Sequence, residues 1–342
     1  MRVLVTGHKG YIGSVMVPAL QSAGHTIIGL DTGFFSDCTL GEDIDGVPFL
    51  CKDVRNVTLA DLQRFDAVVH LAALCNDPLG DLNPDWTFDI NHTASVRLAK
   101  LAKEAGVERF LYASSCSMYG AAGDQALTEN APLHPLTPYA VSKVRAEEDI
   151  TRLADSNFSP VFMRNATAYG ISPRFRADVV LNNLVGWAWT TGKVRIMSDG
   201  TPWRPIVHVE DIASAFVEVL AAPREVIGNQ AFNVGVDSEN YQIRDVAQIV
   251  QETVPNCQME YVAQGGPDPR NYRVDFRKLT KTLPSFKPKW NARGGAQELY
   301  AAFGKVELTL DDFQGRKFIR LNQLKCLIAN EHLDDALRWR RE

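Results

Sequence analysis

The spacing of apolar residues changes twice within the first thirty-one positions. Val3, Leu4 and Val5 form a β-branched and aliphatic run that predicts a buried strand over 2–6. Ile12, Val15, Met16, Ala19, Leu20 and Ala23 then recur at helical spacing, with Gly24 placed to end the helix. Pro18 interrupts this helix beyond its first turn and predicts a bend or a local cost there. A second aliphatic run, Thr26 to Leu30, stops at Asp31. Strand, helix and strand in this order form the unit that imposes a parallel pair with a right-handed crossover.

The alternation continues. Ala67 to Leu71 reads as a strand, and Pro84 to Ala105 as one long helix with Asn83 as its cap and Gly106 as its stop. Arg109 to Ala113 reads as the next strand, Pro138 to Ala154 as a helix capped by Thr137, and Phe162 to Arg164 as a strand. The pattern predicts an α/β fold with a doubly wound parallel sheet. After Gly170 it loosens: loops rich in Pro, Arg and Gly (171–177, 199–205, 265–270) separate shorter elements. Asp211 to Ala222 looks helical, and Ala231 to Gly235 looks like a strand returning to the main sheet. The expected division is 1–170, with a returning segment at about 206–236, and 171–342 packed against it over a cleft.

Composition changes this picture little but excludes several functions. The 342 residues are 45% hydrophobic and 23% charged, ordinary for a globular enzyme. A net charge of -5 gives no footprint for nucleic acid or an anionic membrane. Any polyanionic ligand must be held by a few placed basic groups. No stretch has the roughly 18 apolar residues of a membrane span. The first strand starts at residue 2, leaving no room in this sequence for a leader peptide. Six scattered cysteines without a C-x-x-C pair argue against both a disulfide framework and a zinc site. A cytoplasmic protein with reduced thiols and no metal is the expectation.

Thr6-Gly7-His8-Lys9-Gly10-Tyr11-Ile12-Gly13 lies between the first strand and the first helix. Gly7 allows a tight turn, Gly10 lets the backbone approach a pyrophosphate, and Gly13 allows close helix–strand packing. The helix N-terminus, with Tyr11 and Ile12, supplies N–H donors and a positive dipole end. Asp31 ends the second strand, where a carboxylate binds an adenosine ribose 2′-OH and repels a 2′-phosphate, favouring NAD over NADP. Lys9 would attract a 2′-phosphate, or is a solvated loop lysine. Asp53-Val54 follows another short run and reads as an adenine contact or as a plain turn.

Tyr139 and Lys143 stand at i and i+4 on the helix begun by Thr137-Pro138, so they share one face. The bland reading is a surface pair. The chemical reading is a phenol that shuttles a hydroxyl proton. Its ordinary pKa near 10 must then fall by about 3 units, or roughly 4 kcal/mol. A lysine ammonium and a nicotinamide cation supply the right sign of field. Ser115, at the end of the preceding strand, is placed to hold the reacting oxygen.

These segments together resemble the extended short-chain dehydrogenases. The likeness rests on Thr6-Gly7-x-x-Gly10-x-x-Gly13, His70-Leu71-Ala72-Ala73, Asn91, Ser114-Ser115-x-x-x-Tyr119-Gly120, Pro138-Tyr139-x-x-x-Lys143 and Trp203-Arg204-Pro205-Ile206-Val207-His208. It covers nearly the whole chain. The resemblance implies a Rossmann domain binding NAD, a smaller C-terminal α/β domain binding a nucleotide-diphosphate sugar, and a homodimer formed through two long helices per subunit. It makes Tyr139 the acid/base, has Lys143 bind the nicotinamide ribose, and has Ser115 orient the sugar hydroxyl. Leu71, Ala72, Ala73 and Asn91 join the cofactor set. Arg204 would bind the diphosphate, and Cys116, Ser117, Thr167, Arg174 and Arg270 complete the substrate set.

Departures from the family pattern narrow the reaction. The 4,6-dehydratases carry Asp-Glu where Cys116-Ser117 stand, and the 3,5-epimerases carry a cysteine where Ser117 stands. Thr167 replaces a common substrate-binding Asn, and Gly265-Gly266-Pro267-Asp268 replaces an Arg-x-Gly-Asp stretch. A buried inert thiol is the expectation for Cys116. The scheme that survives is oxidation, rotation and reduction at C4 of a hexose or uronic acid, an epimerase. A keto-sugar reductase using NADPH, a uronate decarboxylase and a non-catalytic dinucleotide sensor are the rivals.

Overall fold

Seven parallel strands make the central sheet: β1 (Arg2–Thr6), β2 (Thr26–Asp31), β3 (Phe49–Cys51), β4 (Ala67–His70), β5 (Arg109–Ser115), β6 (Ser159–Asn165) and β7 (Gln230–Val234). The computed structural model describes residues 1–41, 46–262 and 270–340, with the side chains of 122–124 outside the description. The strand order is β7-β6-β5-β4-β1-β2-β3. Chain direction across the sheet reverses between β1 and β4, so a crevice opens beyond the carboxyl end of β1, where doubly wound folds bind their ligands. The strand expected at 231–235 is β7, paired with β6.

The strands are buried on both faces, so their apolar residues run continuously rather than alternating. Val3 and Val5 face helices Gly13–Ser22 and Val209–Ala221, whereas Leu4 faces Ala94–Glu104 and Pro138–Thr151. Helix Gly13–Ser22 continues through Pro18, which lies exposed.

The long helix expected from Pro84 is continuous to Glu104 but not uniform. An α turn at Pro84–Thr87, capped by Asn83, passes into a π-helical stretch, Phe88–Thr93, before α geometry resumes at Ala94. Such insertions shift the side chains that follow, and they occur often at functional sites.

Beyond Gly170, helices Val180–Thr191, Ile243–Thr253 and Ala292–Lys305 pack around Tyr169, Phe175, Leu184, Val250 and Phe303. Strand Trp203–His208 lies between Thr167–Tyr169 and Asn240–Gln242, carrying the second region over the crevice. The C-terminal segment does not stay with this region. Leu324, Leu327, Leu333 and Leu337 join the core under β4 and β5. Arg55 donates to the carbonyls of Ala336 and Leu337, and Trp339 donates to Thr32 O. Among the described residues no helix is long and apolar enough to cross a membrane.

Candidate active site

One cavity of about 670 Å³ runs beyond the carboxyl ends of the strands. Gly7, Gly10, Tyr11, Ile12 and Gly13 form its floor, with Asp31, Asp53 and Val54 to one side and Leu71, Ala72 and Ala73 above. Gly7 has φ +71°, and a Cβ there would sit 2.8 Å from Ala72 N. At Gly13 a Cβ would overlap the Gly7 carbonyl, so helix and strand approach only without one. The Asp31 carboxylate is fixed by Lys9 N at 3.1 Å and Gly33 N at 2.9 Å. This is the place where a ribose-binding carboxylate belongs.

Asp53 is also committed to the protein. It caps the turn Val54–Asn56 through Arg55 N and pairs with the Arg55 guanidinium at 2.7 Å. His70 is a structural histidine: Thr6 Oγ1 lies 2.6 Å from Nδ1 and Ser95 Oγ 2.8 Å from Nε2. Burial lowers its pKa to about 3, so it stays neutral while it ties β1, β4 and a helix together.

At the far end stand Ser115, Ser117, Tyr139, Lys143, Thr167, Arg204 and Arg270. Lys143 is 3% exposed and donates to Ala113 O at 2.7 Å, with its ammonium 4.6 Å from the Tyr112 ring centre and 5.8 Å from that of Tyr139. Burial lowers its pKa to about 8. The Tyr139 phenol is pushed up, chiefly by burial and by the neighbouring Cys75, while the Ser115 hydroxyl beside it works the other way. Burial thus dominates at the phenol, and a cation placed beside it acts in the opposite direction.

Behind these groups lies a layer that fixes the helix carrying them. Glu147, one turn beyond Lys143, takes a two-pronged contact from Arg164, whose Nη1 also donates to Tyr119 Oη at 3.1 Å. Tyr119 in turn donates to Asn233 at 2.8 Å, linking the turn after β5 to β6 and β7.

Four expected site residues do not line the cavity. Lys9 places its ammonium 3.9 Å from the Phe49 ring centre. Asn91 is fully buried and clamps one residue, accepting from Leu74 N at 2.8 Å and donating to Leu74 O at 3.0 Å, so it holds the 71–74 loop. Cys116 is buried with its thiol directed at Arg164 O, 3.1 Å away, and burial raises its pKa above that of a free thiol. Arg174 is 1% exposed and donates to Ser36 O. The stretch 265–268 lies outside the described residues.

Arg176, two positions on, does line the cavity and is paired with Asp178 at 2.8 Å. Nothing in an Arg-Phe-Arg run distinguishes the two arginines before the fold is known. Asn165, Asp77 and Arg320 are further cavity residues that no motif marked. Asp77 accepts from Thr137 and is ion-paired with Arg270. Arg204 is 5% exposed, with Nη1 donating to Trp203 O at 2.7 Å and to Arg270 O.

The description of the NAD dependent epimerase/dehydratase family matches residues 3–235. The chain belongs to this family. It is 32% identical over 250 residues to a UDP-glucose 4-epimerase of Mycolicibacterium smegmatis, covering 70% of this chain and 78% of that one. It is 26% identical over 311 residues to a mouse dTDP-D-glucose 4,6-dehydratase, covering 84% of each. Among solved structures, MoeE5 in complex with UDP-glucuronic acid and NAD superposes with a TM-score of 0.75 at 27% identity, over 89% of this chain and 99% of that one. NAD is the cofactor of the family, and the cavity suits it: a glycine floor at a helix N-terminus, an oriented Asp31, and Lys143 at the opposite end.

Proposed function

We propose that this protein reversibly inverts C4 of a nucleotide-diphosphate hexose or uronic acid, and that residues 1–170 serve mainly the cofactor and 171–319 mainly the substrate. The supporting observation is the placement of Ser115, Tyr139 and Lys143 in one cavity with the glycine floor, next to a turn that carries no acid. Cys116 is withdrawn to the Arg164 carbonyl, and Asp77 is occupied by Thr137 and Arg270. A dehydratase needs a placed acid to protonate its leaving hydroxyl. A C4 epimerase does not.

NAD, when bound, supplies the hydride acceptor and donor. Tyr139 takes the C4 hydroxyl proton and later returns it, with Ser115 holding the same oxygen. Lys143 contributes the positive charge that favours the phenolate. Arg204 and Arg270 hold the diphosphate, so the oxidised sugar turns without leaving, and remote binding energy positions the reacting carbon. Lys9 would have favoured an NADPH-consuming reductase, but its ammonium lies on the Phe49 ring. The homodimer implied by the sequence resemblance belongs to the same proposal, and sedimentation reads it directly.

The test is Tyr139→Phe. Turnover should fall by about a hundredfold or more, the scale of a lost acid/base group, while NAD content stays unchanged. Near-normal turnover would remove Tyr139 from the chemistry and the scheme with it.

A further inference from the structure

The C-terminal segment brings into the cavity a cation that belongs to no motif. Arg320 opens the helix Arg320–Ala329, is 4% exposed and lines the cavity. Its guanidinium carbon lies 4.5 Å from the Phe35 ring centre, and Nη2 donates to Arg174 O at 2.9 Å. Nη1 is buried without a hydrogen-bond partner. Among the described residues no carboxylate forms an ion pair with this guanidinium. Asp178 is taken by Arg176 and Asn76, and the neighbouring Cys38 thiol, its pKa raised by burial, brings no charge. Asp178 still acts on Arg320 through space, but its charge is shared with Arg176, whose own cation opposes Arg320. A buried cation without a carboxylate of its own is unfavourable, and an anionic ligand relieves it.

The contacts of Arg320 say which anion. Phe35 belongs to the loop that follows Asp31, the carboxylate placed for the adenosine ribose. Arg174 follows Ser172, whose hydroxyl donates to Tyr11 O and meets the Ser14 hydroxyl at 2.9 Å, both in the phosphate cradle. Arg320 thus lies where the ribose loop and the cradle meet, and the only anionic part of the dinucleotide is its diphosphate. We propose that Arg320 binds the cofactor diphosphate through its guanidinium, so that the C-terminal segment completes the NAD site. A forked guanidinium suits that ligand. The rest of the segment holds the same loop: Gln323 donates to Phe34 O at 3.2 Å, and Trp339 packs on Phe34 with ring centres 5.5 Å apart.

The diphosphate of a sugar nucleotide is the alternative source of the same chemistry, and the assay separates the two. Cofactor-stripped wild type and Arg320→Met are titrated with NAD, ADP-ribose and adenosine, and the KM for sugar nucleotide is measured at saturating NAD. NAD and ADP-ribose should each bind about tenfold to a hundredfold more weakly, the scale of a lost charged hydrogen bond. Adenosine affinity and the sugar-nucleotide KM should not change. Unchanged NAD affinity, an equal loss for adenosine, or a loss confined to the sugar nucleotide would overturn the proposal. If Arg320→Met does not fold, Arg320→Lys keeps the stem and charge without the fork. It must weaken NAD and spare adenosine, and any other pattern rejects the assignment.

Discussion

Replacing Lys143 with methionine should change the pH dependence of folding in a direction fixed by burial. The folded-state pKa of Lys143 is lowered from 10.5 to about 8, and the side chain is 3% exposed, so little solvent screening applies. Below pH 8 both folded and unfolded chains carry the proton, and the group contributes no slope. Between pH 8 and 10.5 the unfolded chain holds a proton that the folded chain has released. Wild-type stability should therefore rise with pH across that window, by about 3 kcal/mol in total. Arg320 is distant from the change, and the buried Tyr112 and Tyr139, pushed up by burial, stay protonated in both folded proteins across this window, so these groups cancel in the difference. The lost bond to Ala113 O and the contact with the Tyr112 ring offset the curves without tilting them. Urea unfolding of the cofactor-free proteins at pH 7, 8, 9 and 10 reads the effect. Relative to the wild type, Lys143→Met should look most stable at pH 7 and lose that advantage steadily above pH 8. Parallel curves, or a difference that grows with pH, would show that the ammonium is not desolvated and would remove the basis for its action on Tyr139.

Asn91→Leu leaves Leu74 N–H and C=O without their partners, and chemical denaturation should show a loss of about 2–4 kcal/mol, with weaker NAD binding as the 71–74 loop relaxes. Arg164→Met strands the buried Glu147 carboxylate and should cost about 3–5 kcal/mol, while Arg164→Met/Glu147→Leu together recover much of it. Cys116→Ala should leave turnover within about twofold of wild type and change stability by roughly 1–2 kcal/mol, since only a small buried group is lost. A large kinetic effect there would give the thiol a chemical role.

The sheet and its cofactor end were legible because both follow from local pattern. A buried strand, a glycine turn and an amphipathic helix leave their signature in Val3 to Leu20, and Asp31 is set by its distance from that turn. Tyr139 and Lys143 were legible because one helix carries both. What failed depended on contacts far apart in the chain. The π-helical stretch Phe88–Thr93 lies inside a continuous helical pattern that does not mark it, and it carries the Asn91 that clamps Leu74. Arg174 and Arg176 share a short loop, and which one meets the cavity is decided by packing against the segment around Ser36. The C-terminal residues look like a polar, weakly amphipathic tail. Their return to the cofactor region rests on single contacts such as Arg55 to Ala336 and Leu337, made across more than 280 positions. The depth of the pair was not legible either: the sequence shows the lysine beside Tyr139 but not that both are buried, which pushes the phenol up and the ammonium down.

The central claim is inversion at C4 with the cofactor regenerated on the protein. The most direct measurement follows UDP-glucose and UDP-glucuronic acid labelled with deuterium at C4, incubated with the purified protein and no added cofactor, by proton NMR and mass spectrometry. The account predicts a mixture of both C4 epimers that keeps the label and the mass of the starting sugar, with no net change in NADH. Loss of water or carbon dioxide, or product formed only as NADPH is consumed, would contradict it.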